Sequence, residues 1–238
     1  PFERKNAYLK QIALVMGQKN QLWWDLPAIE TFLLNKEIYE IPDDQYHKTL
    51  SELTELLDIG DLLKVQVRTL SLGERMKMEL IAALIHSPKV LFLDEPTIGL
   101  DVVMQKKMRD FISAYNRLKK STILLTSHYM EDVKQLATRV IIIDHGKILY
   151  DGKLDSLVKK FAKYKTLSIV LDEYVHPEKL SAVGELVEYN FPKAVIKIPR
   201  SATNVAAAEV LRNFPVDDIN IEEPDIEDII RDVFTQKS

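Results

Sequence analysis

Residues 90–101 read Val90-Leu91-Phe92-Leu93-Asp94-Glu95-Pro96-Thr97-Ile98-Gly99-Leu100-Asp101, and the other recognisable segments arrange themselves around this stretch. The four apolar residues Val90 to Leu93, without polar alternation, predict a short strand of a parallel sheet buried on both faces. Asp94 and Glu95 follow at once, so the carboxyl end of that strand carries two negative charges at the crevice where open α/β sheets bind ligands. Pro96 has no N–H to give a ladder and ends the strand.

On either side, strands alternate with helices, the order that builds a parallel α/β core. Gln11 to Met16 predicts a strand that stops at Gly17-Gln18. A polar-to-aromatic loop with Trp23 and Trp24 leads to helical spacing from Ile29 to Leu34; the two rings either pack under the loop or anchor another protein. Asp43 and Asp44 are expected to cap a helix that carries His47, Leu50, Leu53, Leu56 and Leu57 and ends at Gly60. A further helix runs from about Glu74 to Ile85. Beyond Asp101 come a helix over 102–118, a strand over 121–126 ending at Ser127-His128, a helix over 130–137 and a strand over 139–144. His145-Gly146 turns that strand into a hairpin with 147–150. After Gly152 the order is helix 154–161, strand 167–171, helix 177–183, strands 185–190 and 194–198, helix 205–214, strand 216–221 and helix 226–234. That βαββαβ order, with one more helix, fits a small ferredoxin-like domain.

Composition narrows the classes. With 238 residues of which 46% are hydrophobic, the chain can fold as one large or two smaller domains. No apolar window approaches a membrane span, so a membrane role would come through a partner. The absence of cysteine and of a signal-like start makes a cytoplasmic setting the expectation. A net charge of −4 and the lack of a dense basic segment argue against nucleic acid. Zinc sites lack their cysteines, and the five histidines are scattered.

Four segments now stand in order: Gly17-Gln18 after a strand, Leu70-Ser71-Leu72-Gly73-Glu74 opening a helix, the 90–101 stretch, and Ser127-His128 after the next strand. Together, over residues 11 to 152, they make the chain similar to the ATP-binding subunit of an ABC transporter, and within that family it resembles bacterial exporter-type ATPases. The resemblance implies a P-loop NTPase-like parallel-sheet core with a helical subdomain at about 19–88. The ATPase domain would then span 1–162, followed by an accessory domain at 163–238. It implies ATP and Mg²⁺ as cofactors, an integral membrane permease as partner, and a second ATP-binding subunit in a head-to-tail dimer. The subunit would sit peripherally on the inner face of the cell membrane.

Physical reasons accompany these roles. Phosphoryl transfer is mostly positioning and electrostatics. Asp94 suits Mg²⁺, which keeps much of its water and uses few carboxylates. Glu95 is then free to act as the general base on the attacking water. His128, on the neighbouring strand end, can hydrogen-bond the γ-phosphate and that water. Gln18 carries donor and acceptor atoms suited to Mg²⁺ and water. Ser71 and Gly73 lie at a helix amino terminus, where free N–H groups and the positive dipole end favour anions, and Gly73 permits close backbone approach. The resemblance implies that the Ser71, Gly73 and Glu74 segment meets the ATP of the other subunit and that Asp101 crosses the same interface. The family's Leu-Ser-Gly-Gly-Gln is altered here by Leu72 and Glu74.

A Gly-x-x-x-x-Gly-Lys-Ser/Thr phosphate loop needs glycines five apart, and the seven here (17, 60, 73, 99, 146, 152, 184) include no such pair. Together with a start at Pro1, this leads to the expectation that the chain is the carboxyl-terminal part of a subunit, and inactive by itself. Two other readings stay open: a soluble ABC-type ATPase without a transport role, and a remnant that supplies only its signature segment.

Overall fold

The computed structural model describes residues 3, 5–17 and 19–235, with side chains to 231. The chain packs as two units, Pro1–Ala137 and Thr138–Ser238.

In the first unit, a short helix α1 (Asn6–Leu9) precedes β1 (Ile12–Met16), followed by α2 (Ala28–Tyr39), α3 (Asp43–Leu57), α4 (Leu72–Leu84), β2 (Val90–Asp94), α5 (Val102–Lys119), β3 (Thr122–Thr126) and α6 (Met130–Leu136). The three strands form a parallel sheet in the order β1-β2-β3, so the quoted stretch supplies its middle strand. The register aligns Met16, Asp94 and Thr126, which brings all three carboxyl ends level.

The apolar run of β2 predicts a sheet covered on both faces, and the structure corrects this. Leu91 and Leu93 are 1% exposed and join Ala13 and Val15 in the core under the helices. The alternate residues do not: Val90 and Phe92 are half-buried, and the flanking Leu14 and Leu124 are each 47% exposed. The sheet is buried on one face, and a continuous apolar run does not reveal which face lacks a covering layer.

Two helix boundaries also differ. Asp43 and Asp44 do not cap α3: Pro42 takes the cap position without a side-chain bond, while the two acids lie in the first turn, facing the positive end of the helix. Asp43 pairs with Lys36 at 2.7 Å. At the other end the chain turns at Asp58, with φ of 50°, rather than at Gly60, which opens a 3-10 turn. Aspartate tolerates that left-handed geometry better than most residues.

The second unit starts with the hairpin of β4 (Arg139–Asp144) and β5 (Lys147–Lys153), turned by His145 and Gly146 at φ of 45° and 72°. Positive φ at both turn residues matches strand twist. Next come α7 (Leu154–Phe161), β6 (Tyr164–Leu171), α8 (Pro177–Ser181), β7 (Glu185–Asn190), β8 (Lys193–Pro199), α9 (Thr203–Asn213), β9 (Val216–Glu222) and α10 (Ile226–Thr235). The antiparallel sheet order β7-β8-β6-β9 inserts one strand inside each βαβ crossover, the split arrangement of a ferredoxin-like domain. Leu167, Ile169, Leu171, Ala194, Ile196 and Ile198 from its two middle strands form the core with Leu180 and Val210. The helix α10 instead joins α7 and the hairpin, through Ile229, Leu157 and Ile142.

Candidate functional site

The level strand ends of the first unit create one cluster. Asp94 accepts the Thr126 hydroxyl at 2.6 Å, and the Glu95 N–H is held by both the carbonyl and the hydroxyl of Thr126, each at 3.1 Å. On the other side of β2, the Gly17 N–H donates to the Asp94 carbonyl at 2.9 Å. A Cβ on Gly17 would lie 2.1 Å from the Glu95 carbonyl oxygen, so a glycine is required for the two turns to touch. Glu95 has φ of 52°, a strained backbone for a residue with a side chain.

The Glu95 carboxylate and the His128 ring meet at 2.8 Å through Nδ1, and the same oxygen, Oε2, takes the His128 backbone N–H at 3.3 Å. An Nδ1–H donated to Glu95 leaves Nε2 as the free ring nitrogen. The ring is 57% exposed and packs against Tyr129 at 4.3 Å, open to a ligand approaching from solvent. Asp94, Glu95 and His128 are thus brought together; Gln18 lies outside the described residues.

A buried network beneath the cluster escaped the sequence reading. Asp132, fully buried, accepts the Thr97 hydroxyl at 2.6 Å and the Ser127 hydroxyl at 2.9 Å, and pairs with Arg109 at 3.0 Å. Arg109 also donates to Gln135 at 3.1 Å. Thr97 stands two residues beyond Glu95 and Ser127 one residue before His128, so one carboxylate fixes both turns that carry the candidate catalytic groups. The only sequence signal was a polar residue on the inward face of a short helix.

The amino end of α4 forms a second group. Ser71 is the N-cap in a reciprocal box: the Glu74 N–H reaches the Ser71 oxygen at 3.3 Å, while Glu74 Oε2 takes the Ser71 N–H at 2.9 Å and its hydroxyl at 2.8 Å. These bonds to Ser71 backbone and side chain hold the Glu74 carboxyl below its usual value. The anion-favouring end of α4 is therefore already served by the chain's own carboxylate. Gly73 is buried, and a Cβ there would lie 2.8 Å from Met104 Cγ, so this glycine lets α4 and α5 approach. Leu72 lies over Gly99, whose φ is 73°. Asp101 caps α5 by accepting the Met104 N–H at 2.9 Å.

Trp23 and Trp24 are 50% and 48% exposed, and Leu22, at 4%, is the residue tucked beneath their loop. Of the two readings, packing under the loop fails. Among the described residues no helix is long and apolar enough to cross a membrane, and no three acidic or histidine side chains converge as a metal nest.

The chain shares the fold of a solved structure titled "Structure of ATP binding subunit of ABC transporter", which superimposes with a TM-score of 0.59 at 21% identity, covering 67% of this chain and 66% of that one. Residues 3–98 match the ABC transporter family and residues 163–222 match the C-terminal domain of EvrA-like ABC transporters. The chain carries an ABC transporter ATP-binding domain followed by an EvrA-like C-terminal domain. It is 33% identical over 155 residues to the ABC transporter ATP-binding protein NatA of Bacillus subtilis, covering 65% of this chain and 63% of NatA. It is 26% identical over 228 residues to the mouse cholesterol transporter ABCA5, covering 89% of this chain and 14% of that protein. The chain thus spans less than two thirds of either relative.

Proposed function

We propose that this chain supplies the hydrolytic half of an ATP site in an exporter-type ABC subunit that powers a separate membrane permease. The observation that carries this reading is the Glu95–His128 contact of 2.8 Å beside Asp94, at level strand ends. Glu95 takes a proton from the attacking water through Oε1, the oxygen turned away from His128, as the γ-phosphoryl group passes to that water and ADP leaves. With both ring nitrogens protonated, His128 donates Nδ1–H to Glu95 and Nε2–H to the γ-phosphate. Asp94, whose Oδ1 accepts the Thr126 hydroxyl, would hold the outer sphere of Mg²⁺, whose charge would offset that of the phosphates and which needs few protein carboxylates beside them. Gln18 would add its amide to the hold on that ion and its water.

The segment Ser71, Gly73 and Glu74, with Asp101, faces the ATP of a second subunit in a head-to-tail dimer. The half-exposed Trp23 and Trp24 form the surface for the permease, at the cytoplasmic side of the membrane. The working division is an ATPase domain at 1–162 and an accessory domain at 163–238. The 238 residues themselves contain no Gly-x-x-x-x-Gly-Lys-Ser/Thr cradle, so the β- and γ-phosphates need backbone donors that these residues do not provide. The test is ATP turnover by the native protein carrying these residues, with co-purification of a membrane-spanning partner. Turnover sensitive to Asp94→Asn and Glu95→Gln supports the proposal; turnover indifferent to both overturns it.

A further inference from the structure

Two side chains of α4 reach back to the loop after β1. Glu79 is 4% exposed, and its Oε1 accepts the backbone N–H of Gln21 at 2.7 Å and of Leu22 at 3.3 Å. Four residues earlier, on the same face of the helix, Arg75 sets its guanidinium 5.5 Å from the centroid of the Trp24 ring. The far end of the loop is held by the segment just before α4: the Arg68 N–H donates to the Trp24 carbonyl at 3.0 Å and the Val67 N–H to the Leu26 carbonyl at 3.1 Å. Residues 21–26 are thus fastened at both ends to 67–79, the segment that carries Ser71. Simple packing does not ask for a carboxylate at position 79. Burial pushes the Glu79 carboxyl up, so the charged form is costly there, and an apolar residue would fill the space at less cost. What a carboxylate adds is one oxygen that takes two consecutive N–H groups at the start of the tryptophan loop.

We infer that Glu79 is a positioning residue that locks the Trp23–Trp24 loop to α4, so that a partner seated on the two rings acts directly on the Ser71–Glu74 end of the helix. This rests on the reading of the tryptophans as a partner surface and of Ser71 as a nucleotide contact. The loop and α4 form one lever: the rings are its outer end, Glu79 and Arg75 are its fastenings, and the capping box of Ser71 and Glu74 is its inner end.

Two arms test the lock. The first is amide hydrogen exchange on the 238-residue chain. Glu79→Ala is expected to speed exchange at Gln21 and Leu22 about tenfold, with β2 and β3 unchanged, while Glu79→Gln, which keeps an acceptor oxygen, stays near wild type. Unchanged exchange at those two amides in Glu79→Ala overturns the inference. If Glu79→Ala does not fold, Glu79→Asp, one methylene too short to reach both amides, takes its place: faster exchange at Gln21 and Leu22 supports the lock, and none overturns it.

The second arm measures ATP turnover by the native protein with and without its membrane partner. The lock requires Glu79→Ala to lose about tenfold of the partner's stimulation with partner-free turnover unchanged, and Glu79→Gln to restore it. Equal loss with and without the partner means a merely structural role and overturns the inference. A wild type without any turnover would remove the functional reading, and the exchange arm would still decide the lock.

Discussion

Two buried carboxylates organise the first unit, and they do it in opposite ways. Asp132, at the base of the strand ends, is neutralised by Arg109 and takes two hydroxyls from the turns that hold Glu95 and His128. Glu79, on α4, takes two backbone N–H groups of the tryptophan loop. The first is an ion pair inside a polar network, expensive to break because the partner charge is left behind. The second carries its charge at a cost that burial imposes, and it can shed that charge by taking up a proton. One carboxylate therefore makes a fixed platform for chemistry, and the other fastens a loop at a site where burial works against its charge.

The largest effect should come from the platform. Asp132→Ala leaves Arg109 uncompensated and two buried hydroxyls without their acceptor, and is expected to cost about 3–5 kcal/mol in urea denaturation. A cost near zero would mean that the network does not hold the turns. Gly17→Ala tests the same platform from the β1 side. With a Cβ only 2.1 Å from the Glu95 carbonyl, the expected loss is about 1–3 kcal/mol, and the Glu95 turn must shift. A melting curve unchanged from wild type would break the claim that the two turns touch.

Ser71→Ala removes one side of the capping box, and about 1 kcal/mol of stability should go with it in the same denaturation experiment. The smallest effect separates the two carboxylates by pH. The folded value of Glu79 is raised above its unfolded value of about 4.5, so its contribution to stability is fully present below that value and fades as pH rises through the folded value. Wild type should therefore lose stability relative to Glu79→Gln as pH rises from about 4 to about 8, read from paired urea midpoints. Parallel midpoints at all pH values would mean that Glu79 is not held against its charge.

The parts of this molecule that were legible in the sequence are those whose physics is local. The Val90–Asp94 strand, the hairpin turned at His145-Gly146 and the βαββαβ order of the second unit follow from apolar runs, turn residues and spacing. The pairing of Asp132 with Arg109 spans 23 residues and depends on how α5 and α6 pack, which no periodicity records. The role of Gly17 needed the register of β1 on β2 before its steric reason could be seen. The open face with Leu14 and Leu124 is not legible in the sequence, because a buried strand and a half-covered one share the same apolar run. Asp43 and Asp44 lie in the first turn and not at the cap, and an acid at either place leaves the same trace in sequence.

The Glu95 role in water activation is tested most directly by a single-turnover measurement on the native protein with Glu95→Gln. The expected result is nucleotide bound as in wild type but cleaved about 10²–10⁴-fold more slowly, the usual contribution of a positioned general base. Cleavage at the wild-type rate would contradict it.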